Sequence, residues 1–278
     1  MAISTEDART GHEQLPRKAH QGRELVADVF RALAEPVVVA LLRLGVPPPA
    51  VVLVHTAIGL AAAIAIGAGA LVAGALLLQL KTLLDNADGQ LARASGSVSV
   101  LGRYLDTEAD LLVNASLFAA LAVAVDAWWL ALAAFCALTL ILSVNHNVAV
   151  LYGEARRRAA APAIASGSAV QRGLTLVYEA VLAPQDRFIR ALSRSRLDRM
   201  LDEEPDDGPR ERATLAYHDR RTATIVANLG LSTQLFVLGV CLALGVPGFY
   251  LWLVLASLLL LPALQLRRER LARRALVA

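Results

Sequence analysis

The sequence has few cysteines and few charges for its length. Cys136 and Cys241 are the only cysteines among 278 residues, so it contains neither a disulfide framework nor a Cys/His zinc pattern. Charged residues make up 18% of the chain, below the roughly 25% that is usual for soluble domains. These absences exclude a small disulfide-stabilised protein and argue against an ordinary soluble domain. The formal net charge of +3 says little by itself. We expect no nucleic-acid partner.

Long apolar segments are abundant instead. Hydrophobic residues make up 56% of the chain, and the mean hydropathy is +0.54. Several runs approach or exceed the roughly 18 apolar residues that indicate a membrane span. We therefore predict an all-α polytopic membrane protein with six transmembrane helices. The predicted spans are 50–67, 71–92, 101–124, 127–151, 222–244 and 247–266.

Residues 25–46 are apolar but contain several charges and Pro36. Because the uninterrupted part is too short to span, we predict an amphipathic helix in the membrane interface, before the first span. A poor first span is the alternative. Residues 1–24 are polar, with no apolar segment of a cleavable signal peptide, and we expect a disordered cytoplasmic tail. Residues 25–278 then form one membrane domain.

One long polar insertion, residues 152–221, interrupts the membrane domain on the cytoplasmic side. Its residues 174–201 have the apolar spacing of an interfacial helix, bent at Pro184, and residues 202–212 read as an acidic loop. None of the 27 lysines and arginines falls in the three turns predicted to be external. The positive-inside rule therefore predicts both termini, and the turn at 93–103, on the cytoplasmic side.

Four aspartates lie within or beside the apolar segments, in two pairs. Asp85 and Asp88 are three residues apart and share one face of a helix, and Asp106 and Asp110 are four apart on the next helix. Each costs about 2.5–3.5 kcal/mol at the centre of a membrane helix, before mutual repulsion is counted. A divalent cation cancels both costs, and carboxylate oxygens suit Mg²⁺. Solvated loop acids are the alternative, but they explain Asp85 poorly because the sequence before it is almost uncharged.

The spacing around these aspartates resembles the signature of the CDP-alcohol phosphotransferase family. The sequence has Asp-x-x-Asp-Gly-x-x-Ala-Arg from Asp85, then eight residues, then Gly-x-x-x-Asp-x-x-x-Asp ending at Asp110. All eight fixed positions are filled. The resemblance implies a membrane enzyme that binds a CDP-linked donor through metal ions and displaces CMP with an acceptor hydroxyl. The charge distribution predicts that the active site of this integral protein of the cytoplasmic membrane faces the cytoplasm, and the resemblance implies a homodimer.

Residue roles follow from chemistry and from the resemblance together. Asp85, Asp88, Asp106 and Asp110 are predicted to bind one or two Mg²⁺ or Mn²⁺ ions that neutralise the donor's phosphates. Asp110, one turn deeper than Asp106, is the candidate general base for the acceptor hydroxyl. The expected binding site of the CDP moiety consists of Gly89, Ala92, Arg93 and Gly102.

The substrates are less well defined. Family members with phosphorylated acceptors tend to carry a basic residue after the last Asp, where this chain has Leu111. Arg220, Arg221 or Lys81 could replace it, although we expect Lys81 to extend to the interface. CDP-diacylglycerol with a polar alcohol or alcohol phosphate is the leading pair. A CDP-headgroup donor, a divalent-cation transporter and an inactive scaffold are the alternatives.

Three further polar residues have two readings. His55 and Thr56 lie early in the first span, where polar residues often contact the nucleotide in the resembling family, but we expect Thr56 to bond its own helix. His146 near the end of the fourth span could contact a phosphate. It is expected instead to complete a local hydrogen-bond network, so it is left outside the predicted site.

Overall fold

The computed structural model describes residues 24–156, 179, 183–202 and 204–277, and these residues are almost entirely helical. Residues 1–23 of the predicted tail and part of the insertion 152–221 lie outside the described residues. The helices, in chain order, are α1 (Leu25–Arg43), α2 (Pro48–Gly67), α3 (Leu71–Ala94), α4 (Val100–Val125), α5 (Trp128–Ala155), α6 (Ala183–Leu201), α7 (Asp207–Tyr217), α8 (Arg220–Ala227), α9 (Leu231–Ala243), α10 (Pro247–Ser257) and α11 (Leu260–Val277).

Five helical stretches of the described chain are long and apolar enough to cross a membrane. They are Pro48–Gly67, Val100–Val125, Trp128–Ala155, Asp207–Ala243 and Pro247–Val277. The predicted span 71–92 corresponds to α3 but is not among them, because α3 carries Lys81, Asp85, Asp88 and Arg93. Five apolar stretches indicate an integral membrane protein.

Helices α2, α3, α4, α5, α9 and α10 share one apolar core that contains Ile66, Leu78, Leu121, Leu138 and Leu242. Gly59 brings α2 close to α4, because a Cβ at this position would lie 2.7 Å from a methyl group of Val113. Small residues allow this close approach in membrane bundles, where lipid removes most of the hydrophobic driving force between helices.

Helix α1 packs on α3 and α9 and leaves apolar side chains exposed on its other side. Ala34 and Val38 are buried, whereas Leu25, Val29 and Leu33 are exposed. The helix therefore presents apolar side chains both to the bundle and away from it. The helix continues through Pro36, although proline disfavours a straight helix.

The predicted fifth and sixth spans are each divided into two helices. α8 and α9 are separated at Asn228–Gly230, where a Cβ at Gly230 would lie 2.8 Å from Nδ2 of Asn145. α10 and α11 are separated at Leu258 and Leu259. Pro262 cannot donate the backbone hydrogen bond that would join these two helices.

One segment predicted as a loop is partly helical, and the basic C-terminal residues are helical as well. Half of the predicted acidic loop 202–212 belongs to α7, which begins at Asp207 and has Pro209 in its first turn, where a missing backbone N–H costs nothing. The basic C-terminal residues 267–274 continue α11, and Nε of Arg268 donates to the Tyr217 carbonyl at 3.0 Å. The C-terminal helix is therefore attached to the insertion.

Candidate active site

Both aspartate pairs lie at one end of the bundle because α3 and α4 run in opposite directions. The connection between them turns at Gly96, whose φ of +65° favours glycine. Helix α4 then begins after Ser99, whose hydroxyl accepts the Gly102 N–H at 2.9 Å. Asp85 and Asp88, near the end of α3, therefore face Asp106 and Asp110, near the start of α4.

Three of the four aspartates converge with a histidine from α2. One ligand atom from each of His55, Asp85, Asp88 and Asp106 lies within 4.8 Å of the others. Nε2 of His55 is 2.8 Å from Oδ2 of Asp88 and 3.9 Å from oxygens of Asp85 and Asp106. His55 is completely buried, so it is part of the wall of this cluster.

The fourth aspartate, Asp110, is bound to a lysine. Nζ of Lys81 lies 2.5 Å from Oδ1 of Asp110 and 2.9 Å from Oδ1 of Asp85. Lys81 has no exposed surface, so the prediction that it extends to the interface is wrong. Two carboxylates compensate the cost of burying its ammonium group, which would be several kcal/mol without a partner.

The cluster has the chemistry of a divalent-cation site. Oδ1 of Asp106 is buried and has no hydrogen-bond partner among the described residues, which is costly unless a ligand completes it. Carboxylates suit Mg²⁺ and Mn²⁺, and an imidazole nitrogen suits several transition metals. The His55 imidazole is placed either to bind an ion itself or, through its contact with Asp88, to orient that carboxylate as a ligand. The residues therefore fit the predicted metal.

The predicted CDP-binding residues follow the aspartates on the same two helices. Arg93 lies over Gly89, where an added Cβ would contact its guanidinium at 3.4 Å. Ala92 is half-buried beside them on α3. Gly102 adjoins the cap of α4, and an added Cβ would lie 3.0 Å from Oγ of Ser99 rather than against another helix. No ligand tests these four assignments, and they remain predictions.

A cavity of about 500 Å³ adjoins the cluster, and Asp106 and Asp110 form part of its wall. Residues from several helices complete the wall, among them Arg31, Asn86, Leu111, Asn114, Ser143, Asn145, His146, Asp186 and Ser232. The wall is rich in hydroxyl, amide and carboxylate groups. Such a lining suits a small polar molecule next to the acid cluster.

The chain matches the model of the CDP-alcohol phosphatidyltransferase family over residues 29–185, which is more than half of its length. The chain belongs to this family. It is also 31% identical over 140 residues to a phosphatidylinositol phosphate synthase of Mycobacteroides abscessus, covering 49% of this chain and 61% of the relative. The match thus spans less than two thirds of that relative. No solved structure matches the chain.

The family signature identified the four aspartates, but it did not identify their partners. In this member of the CDP-alcohol phosphatidyltransferase family, His55 and Lys81 also lie in the acid site, although neither belongs to the signature. Lys81 is four residues before Asp85 and so on the same face of α3, which was an available signal. The Thr56 hydroxyl donates a hydrogen bond to the Val52 carbonyl of its own helix at 2.6 Å, as predicted. His146 was left outside the site but lines the cavity.

Proposed function

We propose that this protein transfers a substituted phosphate group from a CDP-linked donor to an alcohol hydroxyl and releases CMP, in phospholipid biosynthesis. CDP-diacylglycerol is the leading donor. The observation that carries the proposal is the convergence of Asp85, Asp88 and Asp106 with His55, beside a polar cavity that contains Asp110. Family membership supports the same reaction class.

The proposed reaction is a direct displacement. Mg²⁺ or Mn²⁺ held by Asp85, Asp88 and Asp106 would supply neutralisation of the donor's two phosphates. Arg93 presents a planar guanidinium to a phosphate, and Gly89 leaves room for close approach of the nucleotide. The acceptor oxygen forms a bond to the phosphorus that carries the lipid, the phosphorus–oxygen bond to CMP breaks, and the acceptor proton passes to Asp110.

The position of Asp110 fits its assignment as the base. Its carboxylate lies on the cavity wall, one turn deeper than Asp106, so an acceptor in the cavity would reach both the base and the donor's phosphorus. The contact with Lys81 keeps one oxygen oriented and leaves the other for the acceptor proton. No covalent enzyme intermediate is required.

A divalent-cation transporter and an inactive scaffold are the functions from other classes. Neither requires recognition of cytidine. We expect CDP or CMP with Mg²⁺ to raise the unfolding temperature of the purified protein, because nucleotide binding stabilises only the folded state. UDP and ADP with Mg²⁺ are the matched controls. Equal shifts for all nucleotides, or none, would favour the other two classes.

The cations beside the cavity determine whether a negatively charged acceptor can bind there. Arg220 and Arg221 are exposed at the start of α8 and do not line it, and Lys81 is held by two carboxylates. Arg31 does line the cavity and pairs with Glu24 and, at 2.8 Å, with Asp28. For a phosphorylated acceptor we therefore propose Arg31 as its contact. A neutral polyol, or a CDP-headgroup donor, requires no such contact.

Replacing Arg31 by Gln should raise the KM of a phosphorylated acceptor at least about tenfold, because a charge-assisted hydrogen bond contributes about 1.5–3 kcal/mol. The donor's KM should change much less. Arg220→Gln with Arg221→Gln is the matched control and should change neither value. Steady-state kinetics with each acceptor would measure both, and an unchanged KM in the Arg31 variant would favour a neutral acceptor.

For topology we propose six spans, with α3 as the second, α1 in the interface and the acid cluster open to the cytoplasm. α3 fits as a shielded span because Lys81 and Asp88 are buried within the bundle. The absence of positive charges from the external turns supports the orientation. A homodimer is proposed from the family resemblance alone, and native mass spectrometry in nanodiscs would test it.

Single cysteines test the orientation after Cys136 and Cys241 have been replaced. Ala70 and Val246 should react with an impermeant thiol reagent on intact cells, whereas Ser97 and Asp206 should react only after permeabilisation. All four avoid the positive-φ positions Gly69, Gly96, Asp126 and Gly245 and should not strain the turns. The opposite labelling pattern would contradict the cytoplasmic site.

A further inference from the structure

A buried lysine lies inside the acid site, although it transfers no proton and bonds no substrate in the reaction as described. The stem of Lys81 passes Gly59, where an added Cβ would lie 3.4 Å from Cγ of the lysine. The ammonium group contacts Asp85 on its own helix and Asp110 on α4. Lys81 is therefore enclosed by α2, α3 and α4, and it could not leave this position without loosening their packing.

The same contact separates Asp110 from the other aspartates. The atoms that converge within 4.8 Å come from His55, Asp85, Asp88 and Asp106, and Asp110 contributes none of them. Its Oδ1 is 2.5 Å from the lysine ammonium. A cation that bridged Oδ1 of Asp85 and Oδ1 of Asp110 would occupy the place of this ammonium group, since both oxygens are directed at it.

We propose that Lys81 is a positioning residue: its ammonium group takes the place of a second metal ion and holds Asp110 outside the metal-binding group, oriented as the base. The protein would then bind one divalent cation, at Asp85, Asp88 and Asp106. The assignment of Asp110 as base rests on the proposed function. The metal count does not rest on that function, because it is inferred from the contacts of Lys81 with Asp85 and Asp110.

Lys81→Met is the decisive change, since methionine has a similar length and no charge. Without the ammonium group, Asp85 and Asp110 should bind a second Mn²⁺. Turnover should fall about 100-fold or more, the low end of what a positioned base contributes. The donor's KM should change little. Lys81→Arg keeps a cation and should restore the count of one ion, and Arg43→Met is a matched charge loss at an exposed site.

Titration of Mn²⁺ into the nanodisc-bound protein, followed by electron paramagnetic resonance, gives a readout independent of activity. The wild type should bind one isolated ion. Lys81→Met should bind two, with the broadened spectrum of neighbouring ions. Lys81→Met combined with Asp110→Asn should return to one, because the second ion has lost a ligand.

Two bound ions in the wild type would overturn the proposal, and this measurement requires no variant to fold. One ion in Lys81→Met, or normal turnover in that variant, would also overturn it. If the wild type binds one ion and Lys81→Met binds two but neither turns over any CDP-linked donor, the exclusion of a second ion by Lys81 stands and the proposed function fails. The two failures are therefore distinguishable.

Discussion

Replacing Asp110 by Asn should abolish turnover while largely preserving binding of the CDP-linked donor. The amide has nearly the shape of the carboxylate but cannot accept the acceptor's proton. Loss of a positioned general base lowers rates by about 100- to 10,000-fold. The donor should still bind, because Asp85, Asp88 and Asp106 are unchanged. Turnover and a donor-binding titration on the same preparation would measure both effects.

Asp126→Asn is the matched control for this prediction. It makes the same chemical change on the same helix, at the C-terminal cap of α4 and far from the acid cluster in sequence. Asp126 has a φ of 51°, and asparagine tolerates this left-handed conformation. The control should therefore keep normal activity. A fully active Asp110→Asn protein would rule out the assigned base.

Replacing Asp88 by Asn should weaken both metal-dependent donor binding and turnover, in contrast to Asp110→Asn. Asp88 is the most enclosed aspartate of the cluster, and its Oδ2 lies 2.8 Å from Nε2 of His55. Losing a residue that only supports a metal ligand costs about 10- to 100-fold in metal affinity, and losing a ligand should cost at least as much.

The measurement for Asp88→Asn is the Mn²⁺ concentration that gives half-maximal donor binding. It should rise at least about tenfold relative to the wild type. Asp126→Asn should leave it unchanged. A variant that lost turnover but kept the wild-type metal dependence would contradict the assignment of Asp88 as a ligand and would leave it a role in catalysis alone.

The apolar runs predicted most of the membrane helices because helix length and hydropathy are local properties of the chain. Helices α2, α3 and α4 begin and end within two residues of their predicted bounds, and α5 extends only about one turn further, to Ala155. The breaks at Gly230 and Leu258 were not predicted, since apolar sequence continues through both. Gly230 meets Asn145 of another helix, and no local pattern could show this contact.

The sequence likewise predicted some residues of the candidate site and missed others. The spacing of the aspartates placed them on two helix faces, and the turn at Gly96 brought the faces together. Lys81 was misplaced because an isolated lysine in a span usually extends to the interface, whereas here Asp110 from another helix holds it inside. His55 was noted but not assigned, because its partner Asp88 is 33 residues away.

The most direct test of the central claim is the transfer reaction itself. Purified protein in nanodiscs would be mixed with CDP-diacylglycerol or a CDP-headgroup donor, a set of alcohol acceptors, and Mg²⁺ or Mn²⁺, and the products read by mass spectrometry. We predict that CMP and one new phosphodiester form in equal amounts, only with metal and acceptor present, and not with Asp110→Asn. Absence of CMP from every combination, in a folded preparation that binds the metal, would contradict the account.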